Sequence, residues 1–91
     1  MNNSDIELFK AAIDKWGYDA QEKMCFEECA ELIDALAKKS RGRAGKEEIL
    51  TELADVSIMV GQMAIYYGLE DFERERSKKI MKLNEKVFLK K

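Results

Sequence analysis

Apolar residues recur every three or four positions along four stretches of the chain, and short polar or glycine-containing breaks separate these stretches. Spacing of this kind puts the apolar side chains on one face of an α-helix. Ser4 with Glu7, and Asp19 with Glu22, have the form of capping boxes at the start of the first two stretches. The pattern predicts an all-α protein whose helices cover about residues 4–16, 19–39, 46–67 and 70–88.

Short connections between successive helices favour antiparallel neighbours, so we expect a four-helix antiparallel bundle-like protomer. The chain has 91 residues and no proline, and residues 1–91 fit a single helical domain. A domain of this size has a small core and is commonly stabilised by association. We therefore expect a homo-oligomer, either a homodimer or a homotetramer.

A stripe of small residues lies on the predicted third helix, on the side away from its acids: Ala54, Ser57, Gly61 and Ala64. Glycine inside a helix costs about 1 kcal/mol relative to alanine, so Gly61 indicates the close approach of another helix. A chain with four helices has few to spare for a second buried face. The stripe therefore favours contact with a partner chain.

The charges of the chain are nearly balanced. A net charge of −2 gives no global sign of binding to a nucleic-acid polymer or a membrane surface. No signal-peptide pattern opens the chain, and no apolar run approaches the length of a membrane span. We expect a cytoplasmic protein that contacts neither nucleic-acid polymer nor membrane.

Two acid pairs share one spacing: Glu28 with Glu31 on the second helix, and Glu52 with Asp55 on the third. Residues three apart lie about 60° apart around a helix, so each pair shares a face. Helical projection puts Glu28 and Glu52 inside the apolar faces of their helices, and Glu31 and Asp55 at the edges. If the two faces meet, four carboxylates come together.

Carboxylates on a core face are costly unless they are paired, protonated or bound to a cation. Oxygen-only ligands suit Mg²⁺, or Mn²⁺, better than zinc, and the pattern therefore predicts a metal site. The alternative is a set of buried salt bridges to basic residues of the second and fourth helices, namely Lys38, Lys39, Arg76 and Lys79.

Other reactive residue types are few. The chain has no histidine, which excludes Ser-His and Cys-His catalysis. Cys25 and Cys29 lie four residues apart on one predicted helix, without further zinc ligands of the usual kind. We expect them to be buried core thiols, with redox chemistry as the alternative.

Residues 27–31 (EECAE), followed by residues 52–55 (ELAD), resemble the EExxE…ExxD signature of the MazG-like, all-α nucleoside triphosphate pyrophosphohydrolase superfamily. The flanking text is similar as well, including Trp16-Gly17, Gln21 and Arg41-Gly42, and the likeness covers roughly residues 6–83. It implies a fold of oligomerising helices. It also implies hydrolysis of a nucleoside triphosphate between the α and β phosphates, which yields a monophosphate and pyrophosphate.

By this resemblance, Glu28, Glu31, Glu52 and Asp55 correspond to the family's Mg²⁺ ligands, and Glu27 corresponds to its first acid. Triphosphate hydrolysis needs cations on the phosphate oxygens and an oriented water as the nucleophile. Without histidine, a carboxylate is the natural acceptor of the water's proton. We assign that role to Glu27 or Glu31.

Five basic residues lie between positions 38 and 46 without an acid among them, and Lys38 and Lys39 fall near the acidic face of the second helix. They are candidates for phosphate binding, or else they form a solvated basic helix end. Arg76 and Lys79 lie within the apolar stripe of the fourth helix and suggest a phosphate clamp or salt bridges to the acids. The resemblance implies basic residues of the last helix as the clamp, with Lys79 and Lys82 the nearest matches.

Aromatic residues near the first helix junction suggest a nucleobase site. Trp16 could stack on a base, as could Phe9 or Tyr18, and Gln21 lies two turns before Glu28 on the same helix face. The alternative is that these aromatics close a small core.

Two other functional interpretations stay open. One is a non-catalytic helical interaction module whose acids are structural salt-bridge partners. The other is the phosphoribosyl-ATP pyrophosphohydrolase branch of the superfamily, which residues 56–59 (VSIM) resemble less closely.

Overall fold

The structure of the protein, a computed structural model, describes residues 1–43 and 45–89. Its α-helices are α1 (Asn3–Trp16), α2 (Tyr18–Ser40), α3 (Lys46–Tyr67) and α4 (Leu69–Asn84), and a π-helical turn (Glu85–Leu89) continues α4. No β-strand occurs in this part of the chain, which confirms the predicted all-α class. The bounds of α3 are those that the apolar pattern predicts.

The starts of α1 and α2 differ from the sequence prediction. Asn2 caps α1, since its side-chain oxygen accepts a hydrogen bond of 2.8 Å from a backbone amide in the first turn, and Ser4 lies inside the helix. α2 begins at Tyr18 with no side-chain cap, so the capping box expected at Asp19 does not form. Gly17 has a φ of +89°, which glycine adopts without strain, and it turns the chain from α1 into α2 within one residue. Both capping-box predictions are wrong, although the helices exist.

α2 and α3 form the central pair of the fold. They run antiparallel, with Gln21 opposite Gln62 near one end and Glu28 close to Glu52 further along. α1 packs against both helices and mainly against α3, whereas the backbone of α4 approaches α3 alone among the other three helices. A single chain is therefore three packed helices with α4 attached to one of them, and not a closed four-helix bundle.

The core of the chain is small, and no large side chain in the described residues is completely buried. The buried apolar residues are Ala35, Met59 and Ala64. Two buried polar side chains, Gln21 and Gln62, lie in the interface between α2 and α3. Leu36 and Leu53, which the pattern puts on the apolar faces, remain about half exposed. One chain thus covers its own apolar faces incompletely.

The small-residue stripe of α3 meets α1 of the same chain at Gly61. A Cβ atom added to Gly61 would lie 2.6 Å from Cε2 of Phe9 and 3.4 Å from the side chain of Met1. Protein interiors are close-packed, so these distances leave no room for a larger residue. The close approach inferred from Gly61 is present, but α1 makes it, and the inference of a partner chain at this position is wrong.

The accessible surface is larger than the mass of the chain accounts for. It measures 7148 Å², whereas a compact monomer of 10.5 kDa has about 5400 Å². The radius of gyration is 15.9 Å, against about 12 Å for a compact domain of this length. Large exposed apolar side chains occur on every helix, and a further run of them ends the described chain: Ile80, Met81, Leu83, Val87, Phe88 and Leu89. Association with another chain would cover these exposed apolar side chains. The homo-oligomer stays a prediction.

Among the described helices, α3 is long and apolar enough to cross a membrane by length and composition alone. Its most apolar window of 18 residues has a mean hydropathy of 1.3. The core helix of a water-soluble fold passes the same test, and α3 carries Glu52 and Asp55, whose ionised forms are costly in hydrocarbon. The absence of membrane contact stays a prediction.

Candidate functional site

Three of the four acids singled out as metal ligands meet between α2 and α3, and Asp55 lies near them. We call the four the acid cluster: Glu28, Glu31, Glu52 and Asp55. Carboxylate oxygens of Glu28, Glu31 and Glu52 lie within 4.8 Å of one another. Asp55 is near enough for its negative charge to raise the pKa of both Glu28 and Glu52. The antiparallel pairing explains the meeting, because each helix contributes one acid from its inner face and one from the edge of that face.

Two members of the acid cluster, Glu28 and Glu52, have a raised pKa. The pKa of Glu28 is raised to about 7, first because the surrounding protein removes it from water and then because the carboxyl groups of Glu31 and Asp55 lie close to it. The pKa of Glu52 is raised too, chiefly by removal from water and then by the negative charges of Glu31 and Asp55. Without a cation, Glu28 therefore keeps a proton for much of the time at neutral pH.

One oxygen of the cluster is sealed from solvent without a partner. Oε2 of Glu52 is buried and accepts no hydrogen bond from any described residue. A buried carboxylate oxygen in that condition is costly, and a cation bound to it would remove the cost. The four carboxylates form an oxygen-only donor set, which hard cations such as Mg²⁺ and Mn²⁺ prefer. The residues present fit the magnesium ion that the sequence implies.

Buried salt bridges, the alternative explanation of these acids, do not occur within residues 1–43 and 45–89. The ion pairs found there join neighbours on one helix: Lys38 with Asp34, Arg74 with Asp71, and Lys78 with Glu75. Lys38 and Asp34 are 3.0 Å apart and partly exposed. The charge of Lys38 still lowers the pKa of Glu52, against the larger upward effects. Lys38 is thus the basic residue that acts on the cluster.

The other basic residues proposed for phosphate binding form no ion pair with the acid cluster in the part of the chain that the structure describes. Lys39 is exposed at the end of α2. Arg76 lines a cavity of about 380 Å³ that also borders Gly61. Lys79 and Lys82 line a depression formed by residues of α4 and the turn after it. Neither of these spaces is lined by a member of the acid cluster, so a single chain does not bring the three cations of α4 into contact with it.

The two residues proposed for nucleobase contact do meet. Trp16 and Gln21 line one cavity of about 350 Å³ together with Ala20 and Met24. The indole of Trp16 is 60% exposed, and the ammonium group of Lys15 lies 5.4 Å from its centre. We call this space the Trp16 cavity.

The remaining stacking candidates have structural roles. Phe9 packs against α3 at its glycine. Tyr18 stacks on Tyr66 with the ring centres 3.7 Å apart. Its hydroxyl group hydrogen-bonds with Glu22 and Tyr67, and these bonds, with Glu22 first, raise the pKa of Tyr18. For these two aromatics, the alternative of closing the core describes the structure.

Gln62 is a residue of the site that the sequence pattern did not single out. Its side-chain oxygen accepts a hydrogen bond of 2.6 Å from Nε2 of Gln21, and both side chains are buried. A signal was present, since Gln62 is the one strongly polar residue within positions 58–66. It also follows Asp55 by seven residues, which puts the two within about 20° around the helix.

Glu27 and the two cysteines lie outside the acid cluster. Glu27 is exposed. Cys25 and Cys29 are free and partly buried. Burial raises the pKa of the Cys25 thiol, which borders an apolar cavity of about 410 Å³ between α2, α3 and α4. A protonated thiol against apolar side chains acts as a packing group, but neither cysteine is fully buried, contrary to the sequence prediction.

Comparison with protein-family models, curated proteins and solved structures gives no match to this chain. The likeness of residues 27–31 and 52–55 to the MazG-like signature therefore stays a resemblance. Any assignment of function depends on that resemblance together with the geometry between α2 and α3.

Proposed function

We propose that the chain is a Mg²⁺-dependent nucleoside triphosphate pyrophosphohydrolase, with Mn²⁺ as a possible substitute. It would cleave a (deoxy)nucleoside triphosphate between the α and β phosphates to give the monophosphate and pyrophosphate. The observation that carries the proposal is the buried, partnerless Oε2 of Glu52 within a group of carboxylates. Acids that served only as surface charge would not be buried without a partner. The sequence resemblance supplies the reaction class.

The acid cluster would hold the cation, which supplies charge neutralisation on the triphosphate and a more acidic attacking water. Glu28 would release its proton when the cation binds, because the positive charge of the cation opposes the effects that raise the pKa of Glu28. Glu31 is exposed at the edge of the cluster, which suits it to orient a water and accept its proton. Glu27 lies outside the cluster, so of the two candidates for the base we propose Glu31.

Lys38 is the basic residue best suited to the triphosphate, because its charge already acts on Glu52. Its ion pair with Asp34 is partly exposed and contributes little to stability, so a phosphate group could replace Asp34 at small cost. Arg76, Lys79 and Lys82 would contribute only through an assembly that brings α4 of another chain to the site.

The proposal includes a homodimer or homotetramer. The surface of the chain exceeds that of a compact monomer by about 1700 Å², and a standard interface buries only about 800 Å² per partner. Association would therefore have enough apolar surface to cover, on α2 and α3 as well as on α4 and the turn after it. A cytoplasmic location, and no contact with nucleic-acid polymer or membrane, belong to the same proposal.

A second candidate is a non-catalytic helical interaction module. The observation that favours it is the raised pKa of Glu28, because a proton shared with Glu31 and Asp55 would hold the acids together without a cation. The exposed apolar side chains of α4 would then contact a different protein. Such a module would bind neither divalent cation nor nucleotide.

The test is a panel of natural and modified nucleoside triphosphates, incubated with purified protein and Mg²⁺, with detection of released pyrophosphate. We expect release from at least one nucleotide, and its loss in Glu28→Gln and in Asp55→Asn. Glu70→Gln, which changes an exposed acid at the start of α4, is the matched control and should keep its activity. No release across the whole panel would contradict the proposal.

A further inference from the structure

The Trp16 cavity contains a buried amide that the acid cluster does not explain. Gln21 is 6% exposed, yet it lines the cavity with Trp16, Ala20 and Met24. A buried polar side chain beside an exposed indole and two apolar side chains is the composition of a site for a flat, partly polar ligand.

Gln62 determines which atom Gln21 can present to that cavity. Because Oε1 of Gln62 accepts from Nε2 of Gln21 at 2.6 Å, the amide nitrogen of Gln21 points to α3. The other end of Gln62 is engaged as well, since its Nε2 contacts the sulfur of Met59 at 3.9 Å. Within the described residues, Oε1 of Gln21 has no protein donor and is not sealed from solvent. It is a fixed acceptor that a ligand can use.

The spacing along α2 relates the Trp16 cavity to the acid cluster. Gln21 precedes Glu28 by seven residues, which is about 10 Å along the helix and about 20° around it. Met24 lies between them, on the same side of α2 as Glu31. One nucleotide can lie along this side of α2, with its base in the Trp16 cavity and its phosphates at the acid cluster.

We propose that the side chain of Gln21 hydrogen-bonds to the nucleobase and so selects it. Gln62 is the positioning residue, because its hydrogen bond determines that Gln21 presents its oxygen, and not its nitrogen, to the base. The inference rests on the proposed function for the triphosphate end, and it assigns a substrate class: bases with an exocyclic amino group, cytosine and adenine, over their keto counterparts uracil and hypoxanthine. The fixed acceptor Oε1 takes a hydrogen bond from an amino group. A keto oxygen at the same ring position offers it no hydrogen, which leaves both oxygens unpaired.

Trp16 is the only tryptophan of the chain, so its fluorescence reports on the cavity directly. The probes are the α,β-methylene analogues of CTP and UTP, and of ATP and ITP, which resist cleavage between the α and β phosphates. We expect all four to quench Trp16, with the amino member of each pair binding about tenfold more tightly, with or without Mg²⁺. Equal affinities within each pair, or no quenching by any analogue, would overturn the inference.

Two substitutions separate a positioning role of Gln62 from a structural one. Gln62→Met removes the acceptor but keeps the chain length, so the amide of Gln21 can turn either end to the base, and the affinity ratio should fall from about tenfold to about one. Gln62→Glu keeps an acceptor at the same position and should preserve the ratio. An unchanged ratio in Gln62→Met, whatever its unfolding midpoint, would overturn the positioning role.

Gln21→Met tests the proposed base contact independently of Gln62, and it serves if Gln62→Met folds poorly. It should also lose the preference for bases with an amino group. The outcomes separate this inference from the proposed function. Pyrophosphate release with the base preference unchanged in Gln21→Met would overturn the inference and leave the pyrophosphohydrolase standing. Selective quenching of Trp16 without pyrophosphate release would support the base site and contradict the reaction.

Discussion

The α2–α3 pair and α4 differ in how completely one chain organises them. α2 and α3 pack against each other, and their interface holds both the acid cluster and the Gln21–Gln62 pair. The backbone of α4 approaches α3 alone, its Ile80, Met81 and Leu83 are exposed, and its cations line spaces that contain no member of the acid cluster. Contact between two helices is enough to bring three carboxylates within 4.8 Å of one another. Any contribution from α4 depends on what covers it.

The largest expected effect is on kcat, and it separates two acids of α2, Glu31 and Glu27. Glu31→Gln should lower kcat for pyrophosphate release by about 100-fold or more, because it removes both a cluster carboxylate and the proposed base. Glu27→Gln, the same change on the same helix, should keep most of the activity because Glu27 is exposed outside the cluster. Steady-state kinetics measure both. A larger loss of kcat in Glu27→Gln than in Glu31→Gln would mean that the catalytic acid lies outside the acid cluster.

The next expected effect concerns α4. Replacing Ile80 and Leu83 by Asp should reduce the mass in solution to that of one chain, since both are exposed apolar side chains that association would bury. Ser77→Asp, which adds a negative charge to the same helix at an already polar and exposed position, is the control. Light scattering gives the masses. If the wild type has the mass of a monomer, or if the double substitution leaves the mass of the oligomer unchanged, α4 is not part of an interface.

A third experiment tests the packing of α1 on the central pair. Gly61→Leu should lower the free energy of unfolding by about 1–3 kcal/mol, because its side chain would collide with Phe9. Gly45→Ala is the control, since a Cβ atom there lies 3.5 Å from Glu47, an ordinary contact. Denaturant unfolding measures both. If Gly61→Leu dissociated the oligomer and left the stability of the chain unchanged, a partner chain would fill this space after all.

The smallest expected effect is a pH dependence of the metal-free protein. Glu28 has a pKa of about 7 in the folded chain, above the ordinary value of 4.5. Between these values the folded state binds more protons than the unfolded state, so stability should fall as the pH rises from about 4.5 to about 7. Glu28→Gln, which cannot ionise, should have a flatter profile. Thermal unfolding at a series of pH values, with a chelator present, measures both profiles. Identical profiles for the wild type and Glu28→Gln would argue against a raised pKa of Glu28.

The helices and the acid cluster were predictable because both depend on local periodicity. Apolar positions determine which face of each helix turns inward, and two inner faces that each contain an acid must bring the acids together when they pair. Glu28 and Glu52 follow from this rule. So does the end of α1 at Gly17, where a positive φ suits glycine.

The features that the pattern did not predict depend on partners distant in sequence or on competition between nearby groups. Asn2 caps α1 although Ser4 has the better motif. Gly61 required a neighbour, but periodicity cannot say that Phe9 supplies it. Gln62 matters only because Gln21 lies opposite. The position of α4 follows from few contacts, so its periodicity does not determine where its cations go.

The most direct test of the central claim is a titration of the metal-free protein with Mn²⁺, followed by electron paramagnetic resonance in the presence of a nucleotide analogue resistant to hydrolysis. The acid cluster predicts saturable binding to the wild type, much weaker binding to Glu52→Gln, and wild-type binding to Glu27→Gln. No saturable binding to the wild type, or equal binding to Glu52→Gln, would contradict a metal centre between α2 and α3.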